Sequence, residues 1–200
     1  MEPDPLREFL DVMRELRAGC SWKAEQTHRS LVRYLLEETH ETIEAIEAGS
    51  ADDLCEELGD LLLQVYFHAV IAEETGAFTL DDVARGVIAK MHRRNPHVFG
   101  EAVGGSPDEV DAAWQRIKAA EKARSDPLDG LPASLPALLW AGKVLSRKPE
   151  LTDLPSAELT DLHGGTSQEI GERLLALVVE AREAGVDAEQ ALRDAVRARL

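Results

Sequence analysis

The chain has 200 residues, 44% of them hydrophobic but only 4% aromatic, and a formal net charge of −16. That length admits one core, or one compact domain with a smaller appendage, and so large an excess of carboxylates argues against a nucleic-acid partner, whose phosphates are held by clustered Lys and Arg. Cys20 and Cys55 make no disulfide framework, the acidic start Met1-Glu2-Pro3-Asp4 is unlike a signal peptide, and no apolar run nears the roughly 18 residues of a membrane span, so a cytoplasmic protein without a membrane partner is expected.

Leu, Ala and Val dominate the apolar positions and no run alternates as a strand would, which predicts an all-α protein. Helices are expected over 5–18, 28–48, 52–75, 79–94 and 107–124. Asn95-Pro96 stops the fourth and Ser106-Pro107-Asp108 starts the fifth, and the proline-rich stretch 125–136 reads as a linker between a domain at 1–124 and a tail at 137–200.

The second helix carries an apolar stripe of Val32, Leu35, Leu36, Thr39, Ile43 and Ile46, expected to face inward, with Glu38 and Glu41 on its flank. The third repeats the design: Leu54, Leu58, Leu61, Leu62, Val65 and Ala69 form the stripe while Glu57 and Asp60 sit beside it at the same i, i+3 spacing. An antiparallel hairpin around Gly49-Ser50 lets the acidic pairs converge, and four carboxylates in one place call for a cation; the alternative is a solvated acidic face. Oxygen-only ligands suit Mg²⁺, with Mn²⁺ able to substitute, better than zinc.

Leu36-Glu37-Glu38-Thr39-His40-Glu41 and Glu57-Leu58-Gly59-Asp60, fifteen residues apart, resemble the paired Glu-Glu-x-x-Glu and Glu-x-x-Asp motifs of the MazG family. Gly19-Cys20-Ser21-Trp22, Glu25-Gln26-Thr27-His28 and Arg93-Arg94-Asn95-Pro96-His97-Val98-Phe99 are similar to further segments of that family, although Ser21 and Lys23 stand where it commonly has Pro and Asp. The resemblance covers residues 6–124. It implies a MazG-like helical bundle completed by homodimerisation, and hydrolysis of nucleoside triphosphates to monophosphate and pyrophosphate. It further implies metal ligation by Glu38, Glu41, Glu57 and Asp60, a general base at Glu37 or Glu41, polyphosphate contacts from Lys90, Arg94 and Lys118, and Trp22 and Trp114 near the substrate. Bland roles compete: core or interface for the tryptophans, and complements to the helix C-terminus for Lys90 and Arg94.

In the tail, Glu169-Ile170-Gly171-Glu172 echoes Glu57-Leu58-Gly59-Asp60, and after a three-residue length difference Gly185, Leu192 and Val196 fall opposite Gly76, Val83 and Val87. Between Trp140 and Gln168 nothing supplies a Glu-Glu-x-x-Glu, so the tail reads as a degenerate second repeat that does not catalyse and instead covers the core or strengthens a dimer through Leu174, Leu175, Leu177, Val178 and Leu192. Two rivals remain: a di-iron bundle using Glu25-x-x-His28 and Glu37-x-x-His40, and a non-catalytic helical dimeriser. Within the enzyme reading, broad clean-up of NTPs and dNTPs, damaged ones included, competes with a narrower substrate such as dCTP, dUTP or phosphoribosyl-ATP.

Overall fold

The computed structural model describes residues 4–102, 104–121, 126–152 and 165–199. Their regular structure is helical throughout, and the chain divides into two compact units, Met1–Lys118 and Ala119–Leu200. Residues 122–124 of the expected fifth helix, residue 125 of the expected linker and residues 153–164 of the tail lie outside the described residues.

The first unit is built from α1 (Pro5–Gly19), α2 (Ser21–Glu25), α3 (Val32–Ala48), α4 (Ala51–Glu74), α5 (Leu80–Arg94), α6 (Pro96–Phe99) and most of α7 (Pro107–Glu121). Three of these starts have a local cause in a side-chain cap. Asp4 accepts from the Leu6 amide with Pro5 in the first turn, while Ser50 with Asp53 and Thr79 with Asp82 form capping boxes that satisfy otherwise orphaned amides of α4 and α5.

The second expected helix starts four residues late. Thr27 and Ser30 bond each other's backbone amides through their hydroxyls, at 2.9 and 3.1 Å. These side chains compete with helical bonding, so the chain turns at 26–31 and α3 begins at Val32 instead of residue 28. Leu31, fully buried, closes that turn into the core.

The core lies at the C-terminal half of α4. Tyr66, Phe67, Val70 and Ile71 pack with Leu10 and Met13 of α1 and with Leu31. Two arginines fasten the same end: Arg14 donates to both Glu73 carboxylate oxygens at 3.1 and 2.7 Å, and Arg17 to both of Glu74 at 2.7 and 3.0 Å while also reaching the Lys23 and Gln26 carbonyls. Such forked pairs fix register more than they add stability at an exposed rim.

The stripe expected to face inward on α3 faces outward. Val32, Leu35, Leu36 and Ile46 are exposed, and the buried residues are Thr42 and Ala45. α3 and α4 form a close hairpin; the small Thr42 and Ala45 side chains permit the close approach and displace the larger ones outward. A Cβ on Gly49 would lie 2.8 Å from the Ala45 Cα and carbonyl oxygen, so the turn between the helices needs the missing side chain. On α4, likewise, Ala69 is buried but Leu58 and Val65 are exposed.

The second unit contains α8 (Ala137–Arg147), a 3₁₀ turn (Pro149–Thr152), α9 (Ser167–Glu183) and α10 (Ala188–Arg197). Leu145 and Val178 are its buried apolar residues. Thr166 and Glu169 give α9 a capping box, and Arg147 donates to the Pro127 and Asp129 carbonyls at 3.2 Å each.

Candidate active site

On the α3–α4 hairpin, between the core and the turn at Gly49-Ser50, carboxylate oxygens of Glu38, Glu41 and Glu57 lie within 4.8 Å of one another. Thr42 sets this register. Its buried hydroxyl is 2.7 Å from the Glu38 carbonyl one turn back and 3.4 Å from the Glu57 carbonyl across the hairpin, so the backbones bearing the two acidic pairs meet at one side chain.

Burial and like charge dominate the electrostatics of the cluster. Burial pushes the Glu38 carboxyl above its usual range, aided by the charges of Asp60 and Glu41, a carboxyl–carboxyl hydrogen bond with Glu41 and the charge of Glu37. Glu57 is raised as well, first by burial and then by Glu41 and Asp60, and its Oε2 is buried with no hydrogen-bond partner. A buried carboxylate oxygen without a donor costs free energy that a bound cation would offset. Among the described residues this is the one group of His, Cys, Asp or Glu side chains close enough together to hold a metal ion, and its all-oxygen donor set fits Mg²⁺ or Mn²⁺.

Asp60 is half-buried and near enough to act electrostatically on both Glu38 and Glu57, but its oxygens are not in the 4.8 Å group; Glu37 is exposed and its charge acts on Glu38. A second feature gathers the expected cations. Arg94 is only 8% exposed, with its guanidinium 5.0 Å from the centre of the Trp114 ring, and the Lys118 ammonium lies 4.8 Å from the same ring. This joins α5 to α7 through one indole with two cations against it. Lys90, one turn before Arg94, is exposed. Trp22 is 48% exposed, edge-on to Tyr34 at 5.8 Å, with the Lys23 ammonium 5.5 Å from its ring.

Three features escape the sequence reading. Thr42 carries a signal in hindsight, a β-branched hydroxyl one turn after Glu38 on a helix otherwise lined with Glu and Leu. Gln64 is buried on α4 one turn beyond Asp60. His28 and His68 stack with ring centres 5.0 Å apart and Nδ1 atoms 2.7 Å apart, so one ring donates and the other accepts, an arrangement no local pattern announces. His28 is thereby engaged away from Glu25, and both Glu37 and His40 are exposed, which removes the geometric basis for a di-iron centre.

Comparison with known proteins gives one family match and three relatives. The model of the MazG nucleotide pyrophosphohydrolase domain matches residues 26–99. A "Nucleoside triphosphate pyrophosphohydrolase/pyrophosphatase MazG" of Thermotoga maritima is 40% identical over 209 residues, covering 95% of this chain and 80% of that one, and the "Nucleoside triphosphate pyrophosphohydrolase" of Escherichia coli is 38% identical over 187 residues, covering 92% and 69%. An uncharacterised 26.1 kDa protein of Streptomyces cacaoi is 42% identical over 203 residues, covering 96% and 81%.

Proposed function

Because the chain belongs to the MazG family of nucleotide pyrophosphohydrolases, we propose that it hydrolyses nucleoside triphosphates to monophosphate and pyrophosphate at a divalent-cation site on the α3–α4 hairpin. The observation that carries this reading is the group of three carboxylates within 4.8 Å that includes a buried, partnerless oxygen of Glu57. Glu38, Glu41, Glu57 and Asp60 would hold the cation, Mg²⁺ in the cell and Mn²⁺ as a substitute. When bound, the cation supplies neutralisation of the phosphate oxygens and polarisation of the attacked phosphorus.

The chain's own residues do the rest. A carboxylate with an uncommitted oxygen, Glu37 or Glu41, takes the proton of the attacking water. Arg94 and Lys118 already converge on Trp114, and with Lys90 they hold the polyphosphate and stabilise the pyrophosphate leaving group as its charge develops. The indoles of Trp22 and Trp114 offer flat faces to a base. Tryptophan faces are tolerant of base identity, which favours clean-up of NTPs and dNTPs, damaged ones included, over one narrow substrate.

The exposed apolar residues of α3–α5, among them Leu35, Leu36, Leu58, Val65, Val83 and Val87, support a homodimer as the working form. Residues 1–124 form the catalytic domain in this reading, 125–136 the connection, and 137–200 a degenerate repeat that does not catalyse. No helix among the described residues is long and apolar enough to cross a membrane, and a cytoplasmic enzyme fits the proposed substrates.

The test is a panel of NTPs and dNTPs incubated with Mg²⁺ or with EDTA, alongside Glu41→Gln. Monophosphate and pyrophosphate should form only with metal and only in the wild type. Intact nucleotide throughout, from folded and metal-loaded protein, would sink the proposal and leave the helical dimeriser.

A further inference from the structure

Of the polar side chains buried among the described residues, Thr42 bonds two carbonyls and Arg94 lies against Trp114. Gln64 differs: it is 4% exposed, and its amide oxygen is buried with no hydrogen-bond partner. A buried amide left open is costly, and an apolar side chain of the same length would fill a purely structural position better. Gln64 stands between the hydrophobic core and the acidic cluster, one turn of α4 beyond Asp60 and one turn before His68.

The helix itself limits what this amide can serve. Residues three and four apart share a face, and each side chain leans over the turn that precedes it, so Gln64 leans towards Asp60. Of the four residues at that spacing from Asp60, namely Glu56, Glu57, Leu63 and Gln64, Gln64 alone carries a side-chain N–H. Glu37, Glu38, Glu41 and Glu57 accept hydrogen bonds when ionised and have nothing to donate to Asp60. In the other direction His68 has its Nδ1 committed to that of His28 at 2.7 Å. The same register is closed elsewhere in the chain: on α7 Gln115 donates through Nε2 to Asp111, four residues back, at 3.4 Å. Asp60 is also the member of the expected ligand set whose oxygens fall outside the 4.8 Å group of Glu38, Glu41 and Glu57.

We propose, on the basis of the cation site above, that Gln64 is a positioning residue for it: the amide N–H donates to the Asp60 carboxylate and turns it inward to join Glu38, Glu41 and Glu57. The bond holds one Asp60 oxygen and leaves the other for the cation, as carboxylate ligands of metals are generally held by hydrogen bonds of their own. Gln64 touches neither nucleotide nor cation and acts through Asp60 alone.

Titration calorimetry of the full chain with Mg²⁺, alongside thermal melts in EDTA, tests this with Gln64→Met, which keeps the length of the side chain and removes its polar atoms. The Mg²⁺ dissociation constant should rise about tenfold or more. The Tm in EDTA should stay level or rise, because the open amide is gone. A Gln64 that only fills space leaves metal affinity unchanged, whatever its effect on Tm. Hydrolysis by the same samples should show kcat restored by saturating Mg²⁺, with KM for the nucleotide unaltered. Gln64→Glu, which replaces the donor by an acceptor, should bind Mg²⁺ more weakly still at pH 7, and it carries the comparison should Gln64→Met not fold. A dissociation constant within twofold of wild type in Gln64→Met, or tighter binding by Gln64→Glu, would overturn the role of Gln64 alone. A wild type that binds no Mg²⁺ would overturn it together with the cation site.

Discussion

Replacing Glu38 by Gln removes one charge from the centre of the acidic cluster while keeping its shape. The Glu38 and Glu41 oxygens lie within 4.8 Å. Two unit charges at that distance repel by roughly 1 kcal/mol in water and about 3.5 kcal/mol at an effective dielectric of 20. Glu38 is only half-buried, so screening keeps the gain near the lower figure, about 1 kcal/mol, or about 2–4 °C in Tm for a chain of this size. The pH dependence has a definite sign. Because the folded carboxyl is raised above its usual range, the folded state holds its proton longer than the unfolded chain. Stability is therefore lost as pH climbs from about 4.5 through the folded value, and the cost is present in full at neutral pH. Glu38→Gln should thus melt higher than wild type in EDTA at pH 7, with the difference vanishing below pH 4. Mg²⁺ at about 100 times its Kd should stabilise the wild type by about 2.7 kcal/mol, raising Tm by roughly 5–10 °C, and should do little for the variant, which also stops hydrolysing. Differential scanning fluorimetry across pH, with and without Mg²⁺, reads all of this. A variant that melts no higher than wild type in EDTA and keeps the full Mg²⁺ shift would refute the cluster as a cation site.

Arg94→Lys keeps the charge but loses the guanidinium that lies 5.0 Å from the Trp114 ring centre, and kcat/KM for a nucleoside triphosphate should fall about 10- to 100-fold with helix content intact. Thr42→Val removes the hydroxyl shared by the Glu38 and Glu57 carbonyls and should cost about 1 kcal/mol in denaturant unfolding, together with weaker Mg²⁺ binding in titration calorimetry. His68 is held below its usual range by burial and then by His28, so it resists protonation in the folded state. Its contribution is present above about pH 6.5 and is lost as pH falls below that value, and His68→Gln should flatten the stability profile between pH 5 and 7 in chemical denaturation. Gly185→Ala forces a side chain into a left-handed conformation at φ +71° and should speed hydrogen exchange across α9–α10, at a cost of about 1–2 kcal/mol, while leaving hydrolysis by the first unit unchanged.

Helical class and the positions of the long helices were legible because they rest on local chemistry. Ser50, Thr79 and Ser106 announce starts and Asn95-Pro96 a stop, and these act within a few residues of themselves. The start of α3 was misjudged where two side chains, Thr27 and Ser30, satisfy each other's amides and outcompete the helix. Nucleotide chemistry was legible from the paired acidic motifs. That the acidic pairs meet was legible too, from a hairpin around Gly49-Ser50; the contact that fixes it was not, since Thr42 must meet a carbonyl fifteen residues away in the chain. Likewise the Arg94–Trp114–Lys118 stack combines one spacing visible in sequence, Trp114 to Lys118 along α7, with one that only packing supplies.

The misread apolar stripes carry the larger lesson. Periodicity identifies which residues avoid water but not what they meet. Val32, Leu36, Leu58 and Val65 satisfy the helical pattern for a buried face, yet the chain's own core forms elsewhere, at the junction of α1 with the second half of α4. Burial of α3 against α4 is handled by Thr42 and Ala45, residues that a hydrophobicity count passes over. The proposed homodimer would give that exposed aliphatic face something to meet. On that view the site and the dimer are one design: pairing of the outer faces would fix how closely α3 and α4 approach, and with it the spacing of Glu38, Glu41 and Glu57. Val65→Asp, placed on the exposed face and away from any carboxylate of the cluster, should therefore weaken Mg²⁺ binding as well as dimerisation, and metal affinity unchanged in a monomeric variant would show that the site needs only one chain.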